Sequence, residues 1–231
     1  GDYQEYMELI GRCLGPVDHR QVYFDCGCGN GLFGAWCLRD WLLKENRDSD
    51  ELPPVYFALD LTAKGLGDAI TRHNGAASSD SYLNRFYLRF DLDAIDAPKG
   101  GGKRLPLEDE SVDRICCSLL ISYLKQPEYL LDELYRILKP DGKIILSSMK
   151  PFCDLSVIYK DVVEEARGEQ TLQSARDLLS AAGAIKLKEE EGIYKFYDQR
   201  ELMDIASSAG FLDPQAFRSF GNQANLVFAH K

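Results

Sequence analysis

The sequence lacks the long uninterrupted apolar segments with which proteins cross membranes. Although 45% of its 231 residues are hydrophobic, no run of about 18 consecutive apolar residues occurs. We therefore expect no membrane insertion. A chain of this length and hydrophobicity can instead bury a sizeable core, and one elaborated domain spanning residues 1–231 is the expected organisation.

Basic residues are also scarce relative to acidic ones. Lysine and arginine number 27 against 37 aspartates and glutamates, which gives a net charge of −10 and a pI of about 4.9. Nucleic acids and anionic membranes normally recruit a basic surface, so neither is the expected partner. Only three histidines are present, His19, His73 and His230, and none lies at the carboxyl end of a predicted parallel strand.

No Cys-x-x-Cys pair is present among the seven cysteines, whose number is odd and whose spacing is irregular. Cys26 and Cys28 lie close together, but the only nearby histidine is His19. A structural zinc site is therefore not expected, and no metal is predicted. Unpaired thiols fit a reducing compartment, so a cytoplasmic location is predicted.

What the sequence does contain is an alternation of apolar runs and helical segments, typical of an α/β protein with a parallel sheet covered on both faces. Right-handed crossovers make such a sheet doubly wound. The last two runs are joined by a connection too short for a helix, which predicts an antiparallel hairpin. Seven strands are predicted, at QVYFDCG, VYFALDLT, RFYLRFDLD, VDRICCSLLI, KIILSSM, QAFRSFG and ANLVFAHK.

Two segments lie outside this repeating core. Residues 1–19 predict an N-terminal helix, and residues 152–197 predict a helical cap insertion before the last strands. Helices in these places would cover the strand ends, and their apolar residues suggest a partly hydrophobic substrate.

The stretch FDCGCGNGLFG, residues 24–34, has two competing interpretations: a metal-binding cysteine pair or a ligand-binding glycine turn. Gly27, Gly29 and Gly31 remove side chains where the backbone turns sharply and approaches a ligand. The amides that open the following helix favour a carboxylate or phosphate. Asp25 suits a cationic ligand group. The spacing Gly29-x-Gly31-x-x-Gly34 also satisfies the dinucleotide fingerprint, so a nicotinamide cofactor is the alternative.

Two further strands end in an aspartate followed by a leucine. Asp60 can accept hydrogen bonds from both hydroxyls of a ribose. Asp91 can accept a hydrogen bond from the amino group of a purine, and Leu61 and Leu92 could lie on either side of the purine ring. Three acidic strand ends meeting at one edge of a sheet predict a nucleoside-containing ligand.

These segments together resemble the class I S-adenosylmethionine-dependent methyltransferases. The resemblance covers about residues 20–150 and 194–231, and it is most similar to the small-molecule branch that includes ubiquinone and menaquinone methyltransferases. Its segments are VYFDCGCGNG, FALDLT, RFDLD, LPLEDESVDRICCSLLISYL, LLDELYRILKPDGKIILSSMKP and FYDQRELMDIASSAGF.

The resemblance implies a Rossmann-like methyltransferase fold and S-adenosylmethionine as the cofactor. It implies that the segment from Asp25 to Gly31 surrounds the methionine part and that Asp60 holds the ribose. Asp91 and Leu92 would face the adenine, and Ser118 and Leu119 would lie beneath the sulfonium. The cofactor-binding residues expected in full are Asp25, Gly27, Cys28, Gly29, Asn30, Gly31, Asp60, Leu61, Asp91, Leu92, Ser118 and Leu119.

This chain departs from the family pattern in two places. Asp25 and Asp60 are separated by 35 positions, against about 20 in a compact unit. The excess is assigned to the surface stretch KENRDSDELPP. The loop with Gly100, Gly101 and Gly102 is also long, and it is interpreted as solvated because no helix or Ser/Thr follows it.

The expected function is methyl transfer from S-adenosylmethionine to oxygen, nitrogen or carbon of a small, partly apolar acceptor. No catalytic base is identified. Tyr123 and Tyr194 are the candidate substrate-side residues. The alternatives are a nicotinamide-dependent oxidoreductase and a non-catalytic S-adenosylmethionine-binding module of a larger protein. The latter interpretation is prompted by a chain that begins Gly1-Asp2 without Met.

Overall fold

The computed structural model describes residues 2–44, 52–76, 83–95, 103–154, 180 and 183–231. Its strands are β1 (Val22–Cys26), β2 (Val55–Asp60), β3 (Asn84–Arg89), β4 (Val112–Cys117), β5 (Leu138–Met149), β6 (Leu212–Ser219) and β7 (Ala224–His230). The helices are α1 (Asp2–Leu14), α2 (Leu32–Leu43), α3 (Ala63–Ala76), α4 (Pro127–Ile137) and α5 (Gln199–Ser208), with short 3-10 helices at Leu92–Ala94 and Ile121–Tyr123. Residues 183–190 are also helical.

The strands form one sheet in the order β3-β2-β1-β4-β5-β7-β6. Strands β1 to β5 pair in parallel, whereas β7 runs antiparallel to both β5 and β6. The direction of the strand order reverses between β1 and β4. Such a reversal opens a crevice outside the carboxyl ends of the two strands. The predicted doubly wound sheet with a final antiparallel hairpin is confirmed.

Alternation along the central strands builds a separate core on each face of the sheet. Tyr23 of β1 and Cys116 of β4 pack into the core beneath α1, α2 and α3. Their neighbours Phe24 and Cys117 pack into the opposite core, beneath α4 and α5. Successive side chains of a strand point to opposite faces, so strands buried on both sides read as continuous apolar runs.

Two strand ends differ from the sequence-based expectation. The run VDRICCSLLI predicts a strand to residue 121, but β4 ends at Cys117 and Leu119 adopts a left-handed φ of 53°. Strand β5 begins at Leu138 instead of at Lys143. The register between β4 and β5 shifts between Val112 and Arg114, so the residues after Leu138 are accommodated as an irregularity of the strand.

The two segments predicted to cover the strand ends are described to different extents. Helix α1 packs its buried residues Tyr6, Ile10 and Leu14 into the first core. Of the predicted cap at 152–197, residues 155–179 and 181–182 lie outside the described residues, as do Gly100, Gly101 and Gly102. Among the helices that are described, none combines the length and apolar character needed to span a bilayer.

Helix α5 begins directly after Asp198, which is its N-cap residue. The Asp198 carboxylate accepts the Glu201 amide at 2.8 Å, and the Glu201 carboxylate accepts the Asp198 amide at 3.0 Å. This reciprocal pair is a capping box. It provides hydrogen-bond acceptors for two backbone amides that have no acceptor within the helix. Helix α5 packs Leu202 and Ala206 against the sheet, so the cap also orients part of the second core.

We predict that Asp198→Ala lowers the free energy of unfolding by about 1 kcal/mol, because it removes the capping acceptor. Urea denaturation followed by circular dichroism measures this change. Asp204→Ala in the same helix is the matched control, since its carboxylate is exposed and its ion pair with Arg200 is long, at 3.9 Å. An exposed pair of this kind is worth a few tenths of a kcal/mol at most. Equal losses in both variants would contradict the capping role.

Candidate functional site

The glycine-rich stretch after β1 forms a turn that only glycine adopts without strain. Gly27, Gly29 and Gly31 have φ angles of +74°, +50° and +78°. These values lie in the left-handed region, where a Cβ atom is disfavoured. Space is restricted as well, because a Cβ on Gly31 would lie 2.6 Å from the His73 ring and 2.8 Å from Ala69. A Cβ on Gly29, by contrast, would meet no atom within 4 Å and would point into open space.

Strand β2 holds this turn from one side. The amides of Gly27 and Cys28 both donate to the Leu59 carbonyl at 2.9 Å. The Gly29 amide donates to Asp60 Oδ2 at 2.9 Å, and Oδ1 of the same carboxylate accepts the Thr62 amide and hydroxyl at 2.8 Å. Asp60 therefore joins the glycine turn to the end of β2, a role that the sequence did not indicate.

Helix α3 holds the turn from another side through two consecutive residues. Arg72 Nε donates to the Asn30 carbonyl at 2.8 Å, and the fully buried His73 donates from Nε2 to the Gly31 carbonyl at 2.7 Å. A carbonyl only accepts, so Nε2 carries the proton. Nδ1 then accepts the Tyr87 hydroxyl at 2.7 Å. Sequence reasoning missed His73, since a helix-interior histidine carries no signal of a contact so distant in the chain.

Asp25, at the end of β1, is a buried carboxyl group with one close donor. It is 3% exposed and accepts the Tyr56 hydroxyl at 2.6 Å. Burial raises the pKa of Asp25 to about 7, the Tyr56 hydrogen bond lowers it, and the charge on Asp60 raises it further. The ionised form is disfavoured because it has left water without gaining a cationic partner. A ligand cation at this position would supply that partner.

A cavity of about 150 Å³ brings the predicted methionine-side residues together with helix α1. Asp25, the glycine turn and the end of β4 form one side. Tyr3, Tyr6 and Met7 of α1 form the other. The complete lining consists of Tyr3, Tyr6, Met7, Asp25, Gly27, Cys28, Gly29, Asn30, Leu32, Phe33, Ser118 and Leu119.

Hydrogen bonds from Tyr6 tie α1 to the strand ends beneath it. The buried Tyr6 hydroxyl lies 2.6 Å from Ser118 Oγ and 2.5 Å from Ser147 Oγ. Ser147 Oγ also accepts the Leu119 amide at 2.9 Å. Burial raises the pKa of Tyr6 above its ordinary value, so this hydroxyl remains protonated. The network fixes the left-handed Leu119, whose strain is of the kind found at functional sites.

The residues predicted to face a purine lie outside this cavity lining. Leu61 is 56% exposed, and Asp91 is exposed and accepts the Asp93 amide at 3.1 Å as the cap of a 3-10 helix. Leu92 is buried in the second core, so its side chain supports the loop from below. Asp60 is adjacent to the cavity through its bond to Gly29.

The two candidate substrate-side tyrosines contact each other. The rings of Tyr123 and Tyr194 meet edge to face with centroids 4.8 Å apart, and Phe196 lies 6.1 Å from Tyr123 in the same manner. Tyr123 follows the end of β4 and packs against the first core, which also contains Tyr6. These aromatic residues form a wall at the carboxyl ends of the central strands.

The cysteines of the opening stretch point to different parts of the molecule. Cys26 packs in the second core and Cys28 in the first. All seven cysteines are free, and burial raises the pKa of both Cys26 and Cys28. Within the described residues, no group of three or more histidine, cysteine or carboxylate side chains is arranged to hold a metal ion.

Comparison with known families finds a match over the part of the chain that contains this site. The family model described as "Methyltransferase domain" matches residues 24–146, more than half of the chain. The matched range begins in β1 and ends in β5, so it includes the glycine turn, Asp60 and the end of β4.

Curated relatives are similar over the same region. A malonyl-[acyl-carrier protein] O-methyltransferase of Marinomonas sp. is 30% identical over 134 residues, which are 58% of this chain and 40% of the relative. A demethylmenaquinone methyltransferase of Streptomyces griseus is 38% identical over 114 residues, 48% of this chain and 47% of the relative. The chain thus spans less than two thirds of the length of the curated relatives it matches.

Solved structures extend the similarity of fold to nearly the whole chain. A SAM-dependent methyltransferase from Aquifex aeolicus superimposes with a TM-score of 0.59 at 16% identity, over 99% of this chain and 88% of that one. The Haemonchus contortus phosphoethanolamine N-methyltransferase 2 in complex with S-adenosyl-L-methionine superimposes with a TM-score of 0.59 at 14% identity, over 98% of this chain and 52% of that one. At these identities the likeness shows a shared fold.

The burial of His73 predicts a pH-dependent contribution to stability. Burial lowers the pKa of His73, so the unfolded chain takes up a proton near pH 6.5 while the folded protein does not. The stabilisation is therefore complete above about pH 6.5 and is lost as the pH falls from there towards the lower folded pKa. His73→Gln does not titrate, so the wild type should lose stability relative to this variant between about pH 7 and pH 5.

Urea denaturation of both proteins across this pH range measures the difference. At about pH 7.5 His73→Gln should be less stable by about 1–3 kcal/mol, because the Gly31 carbonyl and the Tyr87 hydroxyl lose their buried partner. A pH-independent difference between the two proteins would mean that His73 titrates normally and does not hold the turn as a neutral ring.

Proposed function

The chain belongs to the methyltransferase domain family, and on this premise we propose that it transfers a methyl group from S-adenosylmethionine to a small, partly apolar acceptor. The observation that carries the proposal is the cavity that joins Asp25, the glycine turn, Ser118 and Leu119 beneath α1. It combines a buried carboxyl group without a cationic partner and a backbone turn in which three of five residues are glycines.

The cavity has the chemistry to hold the amino-acid part of the cofactor. The cofactor's ammonium group would satisfy the Asp25 carboxylate. A Cβ on Gly29 would enter open space, so the ligand has room to approach the backbone of the turn there. At about 150 Å³ the cavity is smaller than the roughly 300–1,000 Å³ typical of sites for drug-sized ligands. We therefore assign it to the methionine part alone, with Cys28, Asn30 and Gly31 as the remaining turn residues.

The nucleoside part is assigned to the open surface beside the cavity. Asp60 already accepts three hydrogen bonds, and a carboxylate has about four acceptor positions. It therefore retains one position for a ribose hydroxyl while it holds Gly29. The exposed Leu61 offers an apolar surface to the adenine, and Asp91 accepts a hydrogen bond from the adenine amino group. The buried Leu92 supports the loop that contains Asp91.

When bound, S-adenosylmethionine supplies an electrophilic methyl group that a nucleophilic atom of the acceptor displaces in line. The protein's part is alignment and exclusion of water. Tyr6, through Ser118 and Ser147, positions helix α1 over the reacting centre and the Leu119 backbone beneath it. A general base is required only for an acceptor that must lose a proton, and we assign no residue to that role.

The acceptor is assigned to the aromatic wall of Tyr123, Tyr194 and Phe196. Tyr123 and Tyr194 are half-buried, so part of each ring is accessible to a planar or apolar acceptor, whereas the buried Phe196 packs against Tyr123. Of the acceptors that the two relatives' names give, demethylmenaquinone fits a planar, partly apolar acceptor.

The two alternatives are less well supported. A nicotinamide-dependent oxidoreductase rests on the spacing Gly29-x-Gly31-x-x-Gly34, but family membership favours methyl transfer, and Asp25 would repel a pyrophosphate. A non-catalytic cofactor-binding module requires no acceptor site, whereas an aromatic wall is present at the same strand ends. We therefore retain the enzyme as the proposal.

The remaining features of the proposal concern partners and location. The net charge of −10 argues against nucleic acid as the substrate. The seven free thiols are consistent with a reducing compartment such as the cytoplasm.

Gly29→Ala tests whether the glycine turn contacts the cofactor. The added methyl group would enter the open space that we assign to S-adenosylmethionine, so affinity for S-adenosylhomocysteine should fall at least tenfold in isothermal titration calorimetry. Gly192→Ala is a closely matched control, because Gly192 also has a positive φ, +71°, and an open Cβ position. Both variants should lose about 1 kcal/mol of stability through backbone strain, but only Gly29→Ala should lose affinity. Unchanged affinity in both would place the cofactor elsewhere.

Asp25 predicts how cofactor affinity depends on pH. With its pKa near 7 in the free protein, Asp25 must lose a proton before it can pair with the ligand's ammonium group. The dissociation constant for S-adenosylhomocysteine should therefore rise about tenfold per pH unit below pH 7. Asp25→Asn should bind weakly and show no such dependence. Tyr56→Phe removes a bond that lowers the Asp25 pKa, so the onset should move to higher pH. A flat profile in the wild type would refute the assignment.

A further inference from the structure

Three hydroxyl groups form a hydrogen-bonded chain beneath helix α1, and this chain ends at the cavity. The Tyr6 hydroxyl lies between Ser147 of β5 and Ser118, which directly follows β4. Ser147 and Tyr6 are buried, whereas Ser118 is half-buried and lines the cavity at the glycine turn. Each hydroxyl has one proton to donate, so the positions of the acceptors determine the direction of the chain.

The direction follows from the buried end of the chain. Ser147 Oγ accepts the Leu119 amide, and within the described part of the chain the Tyr6 hydroxyl is its one other partner. If Tyr6 donated to Ser147, the Ser147 proton would be buried without an acceptor, which is unfavourable. Ser147 therefore donates to Tyr6. The proton of the buried Tyr6 in turn finds its acceptor in Ser118 Oγ, at 2.6 Å.

The last hydroxyl of the chain is left with a proton for a ligand. Ser118 accepts from Tyr6, and among the residues that the structure describes no other group bonds to its side chain. A hydroxyl that already accepts a hydrogen bond is polarised and becomes a stronger donor. The ligand group that lies next to Ser118 is therefore a hydrogen-bond acceptor.

The glycine turn has few amides left for an anionic ligand group. The amides of Gly27, Cys28, Gly29 and Gly31 all donate to acceptors of the protein itself. Asp25 lines the same cavity and, once ionised, repels a carboxylate. A ligand that has both an ammonium group and a carboxylate can place the ammonium group at Asp25, but its carboxylate needs a donor elsewhere in the cavity.

We propose that Ser118 donates a hydrogen bond to the carboxylate of the cofactor's methionine part, and that Tyr6 is the positioning residue that orients the Ser118 hydroxyl. The assignment rests on the proposed function. It gives Ser118 a more specific partner than the position beneath the sulfonium that the resemblance implies. Apolar side chains in place of the three hydroxyls could pack α1 against the sheet, but they would leave the carboxylate without this donor.

The test compares two ligands by direct and competitive isothermal titration calorimetry. One is S-adenosylhomocysteine, and the other is its decarboxylated analogue, which keeps the ammonium group and lacks the carboxylate. Ser118→Ala should weaken S-adenosylhomocysteine binding about tenfold, because a hydrogen bond to a carboxylate is stronger than one between neutral groups. The same variant should bind the decarboxylated analogue as tightly as the wild type does. A merely structural role of Ser118 would not produce this dependence on the ligand's carboxylate.

Tyr6→Phe keeps the aromatic ring and removes the hydroxyl. Since Ser118 then keeps its proton but loses the group that orients it, S-adenosylhomocysteine binding should weaken by about three- to tenfold. Binding of the decarboxylated analogue should again be unchanged. Ser122→Ala is the matched control, because the buried Ser122 hydroxyl also bonds to a serine of β5, Ser148, at 2.7 Å but does not line the cavity. It should leave both affinities unchanged.

Two results with Ser118→Ala would overturn the proposal. Equal losses of affinity for both ligands would assign Ser118 to the packing of α1, and unchanged affinity for S-adenosylhomocysteine would assign its hydroxyl to another group. Circular dichroism shows whether each variant is folded, and Ser118→Ala alone decides the outcome if Tyr6→Phe does not fold. Failure of the wild type to bind S-adenosylhomocysteine would refute the proposed function itself. Intact wild-type binding without the dependence on the carboxylate would refute only the assignment of Ser118.

Discussion

The candidate site depends on a backbone turn that is held in place by its neighbours. The glycines that follow β1 adopt left-handed conformations that carry a large entropic cost on folding. Hydrogen bonds from outside the turn offset that cost. The Leu59 carbonyl and the Asp60 carboxylate accept its amides, while Arg72 and His73 donate to its carbonyls. The turn is therefore rigid before any ligand arrives, and pre-organisation of this kind reduces the entropy lost on binding.

A second constraint is the burial of Asp25 among apolar neighbours. Its carboxyl group is almost inaccessible, and Tyr56 is its close donor. Above pH 7 the ionised form destabilises the free protein, because the folded pKa lies above the ordinary value for an aspartate. Stability is thus lower where the carboxylate is ready for a cationic ligand. This conflict between stability and binding is typical of functional sites.

Helix α1 connects the chemistry of the site to its surroundings. Through Tyr6 it is bonded to the ends of β4 and β5, and through Tyr3 and Met7 it lines the cavity at the glycine turn. Tyr3 also contacts Phe220 after β6, with ring centroids 4.5 Å apart. Because α1 is held at several points, it forms a fixed wall of the cavity, and its side chains determine which ligands fit beneath it.

The sequence by itself determined the class of fold and predicted the general place of the candidate site. Short apolar runs bounded by turn residues identify the strands, and the short final connection identifies the antiparallel hairpin, because these patterns arise between neighbours in the chain. The acidic residues at the strand ends were found for the same reason. Local patterns do not determine where a strand ends, however. Strand β4 stops at Cys117 instead of residue 121.

Only the tertiary structure decided which side chains act together. His73 reaches Gly31 across 42 positions, Tyr6 reaches Ser147 across 141, and Asp60 bonds to Gly29 across 31. Neither hydrophobic periodicity nor a motif encodes such contacts, since they depend on how whole elements pack. The reason is physical: propensity and periodicity act between residues close in the chain, whereas a site is formed by residues close in space.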